Sequence, residues 1–166
     1  MSNIFVISDT HFGHKRVIRF REGEKPMRPF VDLEDMHRTL IENWNSVVTK
    51  RDVIYHLGDV AFNGAVYDEI MPQLNGMKYL VRGNHDTFGE ERYRKHFQKI
   101  LGCHVLDHFA LTHVPIHASQ GSRWKGNIHG HMHNRSLDDP FYFNASVEAI
   151  NYKPIAFEEI KKIQGF

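Results

Sequence analysis

Five times in this chain a short apolar run stops and gives way at once to carboxylate, amide or imidazole side chains. Ile4-Phe5-Val6-Ile7 runs into Ser8-Asp9-Thr10-His11, and Val53-Ile54-Tyr55-His56-Leu57 into Gly58-Asp59. Lys78 to Arg82 is followed by Gly83-Asn84-His85-Asp86, Phe109-Ala110-Leu111-Thr112 by His113, and Asn127-Ile128-His129 by Gly130-His131-Met132-His133. Apolar runs without alternation read as strands covered on both faces, the pattern of a buried sheet. Strand ends that carry polar groups place chemistry outside the carboxyl edge of such a sheet, so the expected class is α/β.

The intervening stretches supply the helices. Lys15 to Arg21 reads as a short basic helix and residues 22–29 as a loop with two prolines. Asp32 caps a helix whose apolar stripe is Met36, Leu40, Trp44 and Val47, with His37 and Arg38 off the stripe on the surface. Ala65 to Leu74 reads as a helix that Pro72 kinks or ends, and Asn75-Gly76 as a turn. Phe88 to Leu101 reads as a second amphipathic helix, with Tyr93, Phe97, Ile100 and Leu101 inward, His96 outward and Gly102 closing it. Cys103–Leu106 and Phe109–Thr112 form a hairpin about Asp107-His108, and Ala118 to Gly126 a polar loop. Phe141–Ser146 is a strand and Pro154–Ile163 a closing helix. With no repeat, linker or low-complexity segment in 166 residues, a single domain over residues 1–166 is expected.

The polar groups at the five strand ends are Asp9, His11, Asp59, Asn84, His85, His113, His131 and His133. Asp9 and His11, like His131 and His133, are two residues apart and share a face of an extended chain. The single cysteine, Cys103, read as a small buried residue, excludes a thiolate cage and an intramolecular disulfide. Mixed nitrogen and oxygen donors suit Mn, Fe, Zn or Ni better than Ca or Mg. With His85 set aside seven donors remain, more than one ion takes and enough for two if one carboxylate bridges. Two divalent ions are the arrangement that activates water for in-line displacement at phosphorus.

The ordered set Asp9-x-His11, Gly58-Asp59, Gly83-Asn84-His85-Asp86, His113 and Gly130-His131-x-His133 resembles the calcineurin-like metallophosphoesterase superfamily, in its small single-domain bacterial and phage form. The resemblance implies a four-layer α/β/β/α sandwich of two mixed β-sheets flanked by helices, with no cap domain. It implies two divalent transition-metal ions, Mn²⁺ foremost, with Fe, Zn or Ni as alternatives. Asp9, His11 and His133 would hold the first ion, Asn84, His113 and His131 the second, and Asp59 would bridge them. His85 would act on the leaving oxygen, with Asp86 orienting it. The implied activity is hydrolysis of a phosphodiester or phosphomonoester by metal-bound hydroxide, the diester preferred.

Outside this set, His14, Arg82 and Arg123 are candidate substrate-binding residues. Their alternatives are a helix cap for His14, an ion-pair partner for Arg82 and an ordinary surface loop for Arg123, Trp124 and Lys125. His56 reads as a hydrogen-bonded core residue, and His117 and His129 as supports behind the ligands. The net charge of +1 gives no long nucleic-acid track, no run is long enough to span a bilayer, and a cytoplasmic setting fits. The expected partner is a small phosphorylated substrate, nucleotide-derived among the options. The alternatives are a non-catalytic protein-interaction scaffold of the same fold, or a nuclease acting on short or cyclic nucleotides.

Overall fold

The structure is a computed structural model that describes residues 2–166, with Glu22 described by its backbone alone. The strands are β1 (Ile4–Ile7), β2 (Arg21–Glu22), β3 (Lys25–Pro26), β4 (Val53–His56), β5 (Met77–Val81), β6 (Phe97–Leu101), β7 (His104–Leu106), β8 (Phe109–Leu111), β9 (Gly126–His129), β10 (Tyr142–Asn144) and β11 (Ile155–Ala156). The helices are α1 (Leu33–Val47), α2 (Gly64–Ile70), α3 (Glu90–Arg94) and α4 (Phe157–Ile163). One sheet has the order β11-β1-β4-β5-β6, with β11 antiparallel to β1 and the rest parallel. The other has the order β10-β9-β8-β7, parallel except for the β7–β8 hairpin. Two mixed sheets flanked by helices match the expected architecture.

Alternation along the central strands explains how the layers stack. Phe5, Ile7, Ile54 and Leu80 face α1 and α2, where Met36, Leu40, Trp44 and Tyr67 complete the core. Val6, Tyr55, Leu57 and Val81 face the second sheet, meeting Phe109, Leu111 and Ile128 together with Phe157 and Ile160 of α4. The outer face of the second sheet is covered by the segment that ends in a 3₁₀ turn at Ala118–Arg123; there the Ile116 amide donates to Asn127 Oδ1 at 3.0 Å. Each central strand is thereby buried on both sides, as its unbroken apolar run requires.

The α1 stripe buries Met36, Leu40 and Trp44, and the Trp44 indole N–H donates to Asn75 O at 2.9 Å. Asp32 caps the helix by accepting the Asp35 amide at 2.8 Å. Substituting Asp32→Ala should lower stability by about 1 kcal/mol, a fall of roughly 2–4 °C in melting temperature. An unchanged thermal melt would show that the cap contributes nothing.

Several expectations give way to the fold. The stretch from Phe88 to Leu101 is not one helix: α3 covers only Glu90–Arg94, and Phe97–Leu101 pairs in parallel with β5 as an edge strand. Its apolar spacing suits a helix, but the free hydrogen-bonding edge of β5 takes the chain instead. Gly102 therefore follows a strand, not a helix. Lys15–Arg21 forms only a 3₁₀ turn at Val17–Arg19, and the two-proline loop contains the small β2–β3 hairpin. Cys103 is exposed, not buried. His37 is half-buried rather than solvated, and its Nε2 accepts the Gly13 amide at 2.9 Å. The Asp107-His108 hairpin forms as expected, with φ of 45° and 66°, the left-handed pair of a tight two-residue turn.

Candidate metal centre

The five strand ends converge, and they do so through strained backbone. Asp9, His11, Asp59, His131 and His133 all adopt positive φ, between 53° and 67°. That conformation costs a non-glycine residue free energy and clusters at functional sites. The spaced pairs therefore share a direction through left-handed kinks, not through extended chain. Gly83 and Gly130 permit the approach: a Cβ on Gly83 would collide with Asp59, and one on Gly130 with Ser8 and Asp9.

Two groups of donor atoms result. Asp9, His11 and His133 bring theirs within 4.8 Å of one another, as do Asp9, Asp59 and His113. His11 Nε2 lies 3.5 Å from Asp9 Oδ1 and 3.7 Å from Asp59 Oδ2. Asp59 Oδ2 is also 3.5 Å from His113 Nε2, so this oxygen stands between the two halves of the cluster. Asn84 Oδ1 lies 2.9 Å from His113 Nε2 and 3.0 Å from His131 Nδ1.

The hydrogen bonds orient these rings. His113 Nδ1 faces the carbonyl of Leu57 at 2.7 Å, and a carbonyl only accepts, so Nδ1 carries the proton. In a neutral ring Nε2 is then a bare acceptor 2.9 Å from another acceptor, Asn84 Oδ1, an arrangement that a cation between them satisfies. Asp9 Oδ1 and His11 Nε2 are buried without a hydrogen-bond partner. A buried polar atom left so costs free energy, and both atoms point into the group that a metal ion would join. The electrostatics agree. Burial works against ionisation of Asp9, but the His11 ring 3.5 Å away and the nearby His113 hold its carboxyl well below the usual range. Burial also opposes charge on His113, yet Asp59 and Asp9 lift it above the ordinary histidine value: the carboxylates draw positive charge, a proton or a metal ion, to its Nε2. The residues present fit divalent metal.

Behind the ligands stands a network that sequence reading missed. Arg28 is fully buried, and its guanidinium donates to Asp9 O at 2.6 Å, Thr10 O at 3.0 Å and Glu148 Oε1 at 2.7 Å. The same Glu148 oxygen lies 3.0 Å from His133 Nδ1, which leaves Nε2 of that ring for the cluster. Ser146 Oγ donates to Asp9 Oδ2 at 3.1 Å. Arg28 lies in a proline-flanked loop with no local signal. Glu148 follows a strand as Asp9 and Asp59 do, and that repetition was the available clue.

His56 occupies the core as expected. Thr10 Oγ1 donates to Val60 O at 2.8 Å, so it must accept from His56 Nε2 at 3.0 Å, while His56 Nδ1 accepts the Gly58 amide at 3.2 Å. Burial drives its pKa down to about 3, which keeps the ring neutral, as that pattern demands. His129 is buried beside the site, its Nδ1–H on Gly130 O at 2.8 Å. His117 is exposed and caps the 3₁₀ turn through the Ser119 amide at 3.1 Å, so it backs no ligand.

The remaining candidates separate. His85 is exposed at the rim, its amide held by Asp59 Oδ1 at 2.8 Å and its ring centroid 6.2 Å from that of His11. Asp86 does not hold the His85 ring; its carboxylate accepts the amides of Asp59, Val60 and Gly83 at 2.9, 3.0 and 2.8 Å and so ties two strand ends together. His14 joins the site, with Nδ1 3.0 Å from His11 Nδ1, and burial lowers its pKa to about 4. Arg82 turns away, donating to Asp86 O at 2.6 Å, so it braces the loop rather than facing substrate. Arg123 lies with His108, Trp124, Lys125 and Phe166, at the end of the second sheet where β8 and β9 begin. The candidate ligands stand where those strands finish, at the opposite end of β8 and β9 from Arg123.

A model of the calcineurin-like phosphoesterases matches residues 2–157. The chain belongs to the calcineurin-like phosphoesterase family. Among its relatives, the MJ1445 protein of Methanocaldococcus jannaschii is 38% identical over 177 residues, covering 98% of this chain and 92% of that protein. The gene 66 protein of Mycobacterium phage L5 is 32% identical over 131 residues, 73% of this chain and 59% of that one. The crystal structure of AQ665 from Aquifex aeolicus superposes with a TM-score of 0.75 at 27% identity, covering 98% of this phosphoesterase and all of AQ665. Among the described residues of this family member no helix is long and apolar enough to cross a membrane.

Proposed function

We propose that this phosphoesterase is a dinuclear metal-dependent enzyme that hydrolyses phosphodiesters in preference to phosphomonoesters. The observation that carries the reading is the convergence of buried polar atoms without partners, Asp9 Oδ1 and His11 Nε2 above all, beside the shared carboxylate of Asp59. Asp9, His11 and His133 would hold one ion, Asn84, His113 and His131 a second, with Asp59 between them. When bound, two divalent ions, Mn²⁺ foremost, would bring the pKa of a water near 7 and neutralise phosphoryl charge.

The chain's own residues do the rest. Leu57 O and Glu148 fix the tautomers and tilts of His113 and His133. Asp86 holds the amides on which Asp59 and the Gly83 turn depend. His85 stands on the open side, free to give a proton to the leaving oxygen as the phosphorus–oxygen bond breaks.

The test is metal-stripped protein reloaded with Mn²⁺, Zn²⁺, Ni²⁺ or Mg²⁺ and assayed on bis-para-nitrophenyl phosphate beside para-nitrophenyl phosphate. The expected result is turnover with two ions per chain, faster on the diester. Chelation should lower the melting temperature by roughly 5–10 °C if metal stands near a hundredfold over its dissociation constant, a linkage of about 2.7 kcal/mol. Metal without turnover on either ester would favour a scaffold, and no metal at all would refute the site.

A further inference from the structure

The basic-aromatic loop Arg123-Trp124-Lys125 lies at the wrong end of the molecule, but another basic-aromatic segment lies at the right one. The turn from Lys15 to Arg21 winds directly off the His11 loop: the His14 amide donates to His11 O at 3.0 Å and the Val17 amide to His14 O at 3.2 Å. From the His11 ring a strip of aromatic rings leads outward. Phe62 stacks on His11 at 4.9 Å and on His14 at 3.9 Å, with interplanar angles of 20° and 14°. His14 meets Phe20 edge to face at 5.8 Å, and His85 tilts against Phe62 at 4.8 Å. Phe20 ends the strip and is 43% exposed. One exposed phenylalanine is ordinary; one that continues a strip begun by a candidate metal ligand extends the site. In the same turn Lys15, Arg16 and Arg19 are exposed and make no ion pair with any described residue.

Resting on the phosphoesterase reading above, we propose that the substrate is a nucleoside phosphodiester and that Phe20 is the residue that selects it, by stacking on the base. A base stands a full sugar away from its phosphorus, which matches a strip running past the ligand ring through Phe62 and His14 to Phe20; a ring joined directly to the phosphate oxygen would lie nearer the cluster. Every base offers a π face to such a platform. The unpaired cations meet negative charge beyond the phosphoryl group being cleaved. An aliphatic ester uses neither feature.

Two esters with the same leaving group test this: thymidine 5′-(para-nitrophenyl phosphate) and methyl para-nitrophenyl phosphate. Wild-type protein should show the lower KM for the thymidine ester. Phe20→Ala should raise that KM about 5- to 100-fold, the range of one base–aromatic stack, with kcat unchanged and the methyl ester unaffected. Phe20→Trp should restore the low KM. Equilibrium binding of thymidine 5′-monophosphate, which needs no turnover, should weaken by a similar factor in Phe20→Ala. An equal rise in KM for both esters would place the leaving-group ring on the strip and overturn the nucleoside assignment. Unchanged KM and unchanged nucleotide binding would overturn the role of Phe20 while leaving the hydrolase intact. Failure of wild-type protein to cleave either ester would instead refute the phosphoesterase reading, with nucleotide binding still deciding the stacking.

Discussion

His85→Ala should lower kcat by about 10²- to 10⁴-fold, the range of a lost general acid, while the metal content stays at the wild-type value. The geometry makes the substitution selective. The His85 ring is exposed at the rim and belongs to neither donor group, whereas the backbone amide that anchors the loop to Asp59 Oδ1 at 2.8 Å survives the change. A lost proton donor matters most when the leaving oxygen is a poor leaving group. The deficit should therefore be large for a diester that expels an alkoxide and small for one that expels para-nitrophenolate. Steady-state kinetics on both, with metal counted in each preparation, checks this. Equal deficits on the two esters would mean that His85 binds the phosphoryl group and does not protonate. An unchanged kcat on the alkyl ester would remove His85 from the reaction.

Arg28→Ala should destabilise the protein by about 3–5 kcal/mol, the cost of leaving a buried charge without its partner. Arg28 and Glu148 are 0% and 2% exposed at the side chain and 2.7 Å apart. Removing the guanidinium also strips donors from Asp9 O and Thr10 O, in the loop that presents Asp9 and His11. Burial works to raise the Glu148 pKa, but His133 and Arg28 outweigh it and hold the carboxyl below its usual value. A carboxylate depressed in the folded state stabilises above the unfolded pKa. The contribution is therefore present at neutral pH and fades as the pH falls through the acid range. Denaturant unfolding at pH 7 should give the full loss, and Arg28→Ala with Glu148→Gln should lose less than the two single changes added, because the buried charge is gone. A loss under about 1 kcal/mol, the range of an exposed pair, would mean the network does not hold the site.

Glu148 and Arg28 also mark the boundary of what could be read in advance. Short-range physics decided a great deal. Unbroken apolar runs specify strands buried on both faces, glycines specify where backbones close on one another, and the Asp32 cap and Met36–Trp44 stripe specify α1. The seven candidate ligand positions follow from the same rule, since a donor that ends a buried parallel strand has only the carboxyl edge to occupy. Pairings between distant segments decided the rest. Phe97–Leu101 has helical spacing and became a strand because β5 offered an unfilled edge. Arg28 meets Glu148 across 120 residues, a contact no local pattern encodes. Asp86 faces amides where the sequence suggested a ring, because the fold brings the Asp59 and Val60 amides of another strand end within reach, and Arg82 faces carbonyls of its own loop where the sequence suggested phosphate. Arg123 was sent to the far end by the direction of β9. The sequence determined which groups end the strands, because burial and backbone conformation act over a few residues. The tertiary structure alone determined what those groups touch, because a hydrogen bond goes to whichever partner the fold brings within reach.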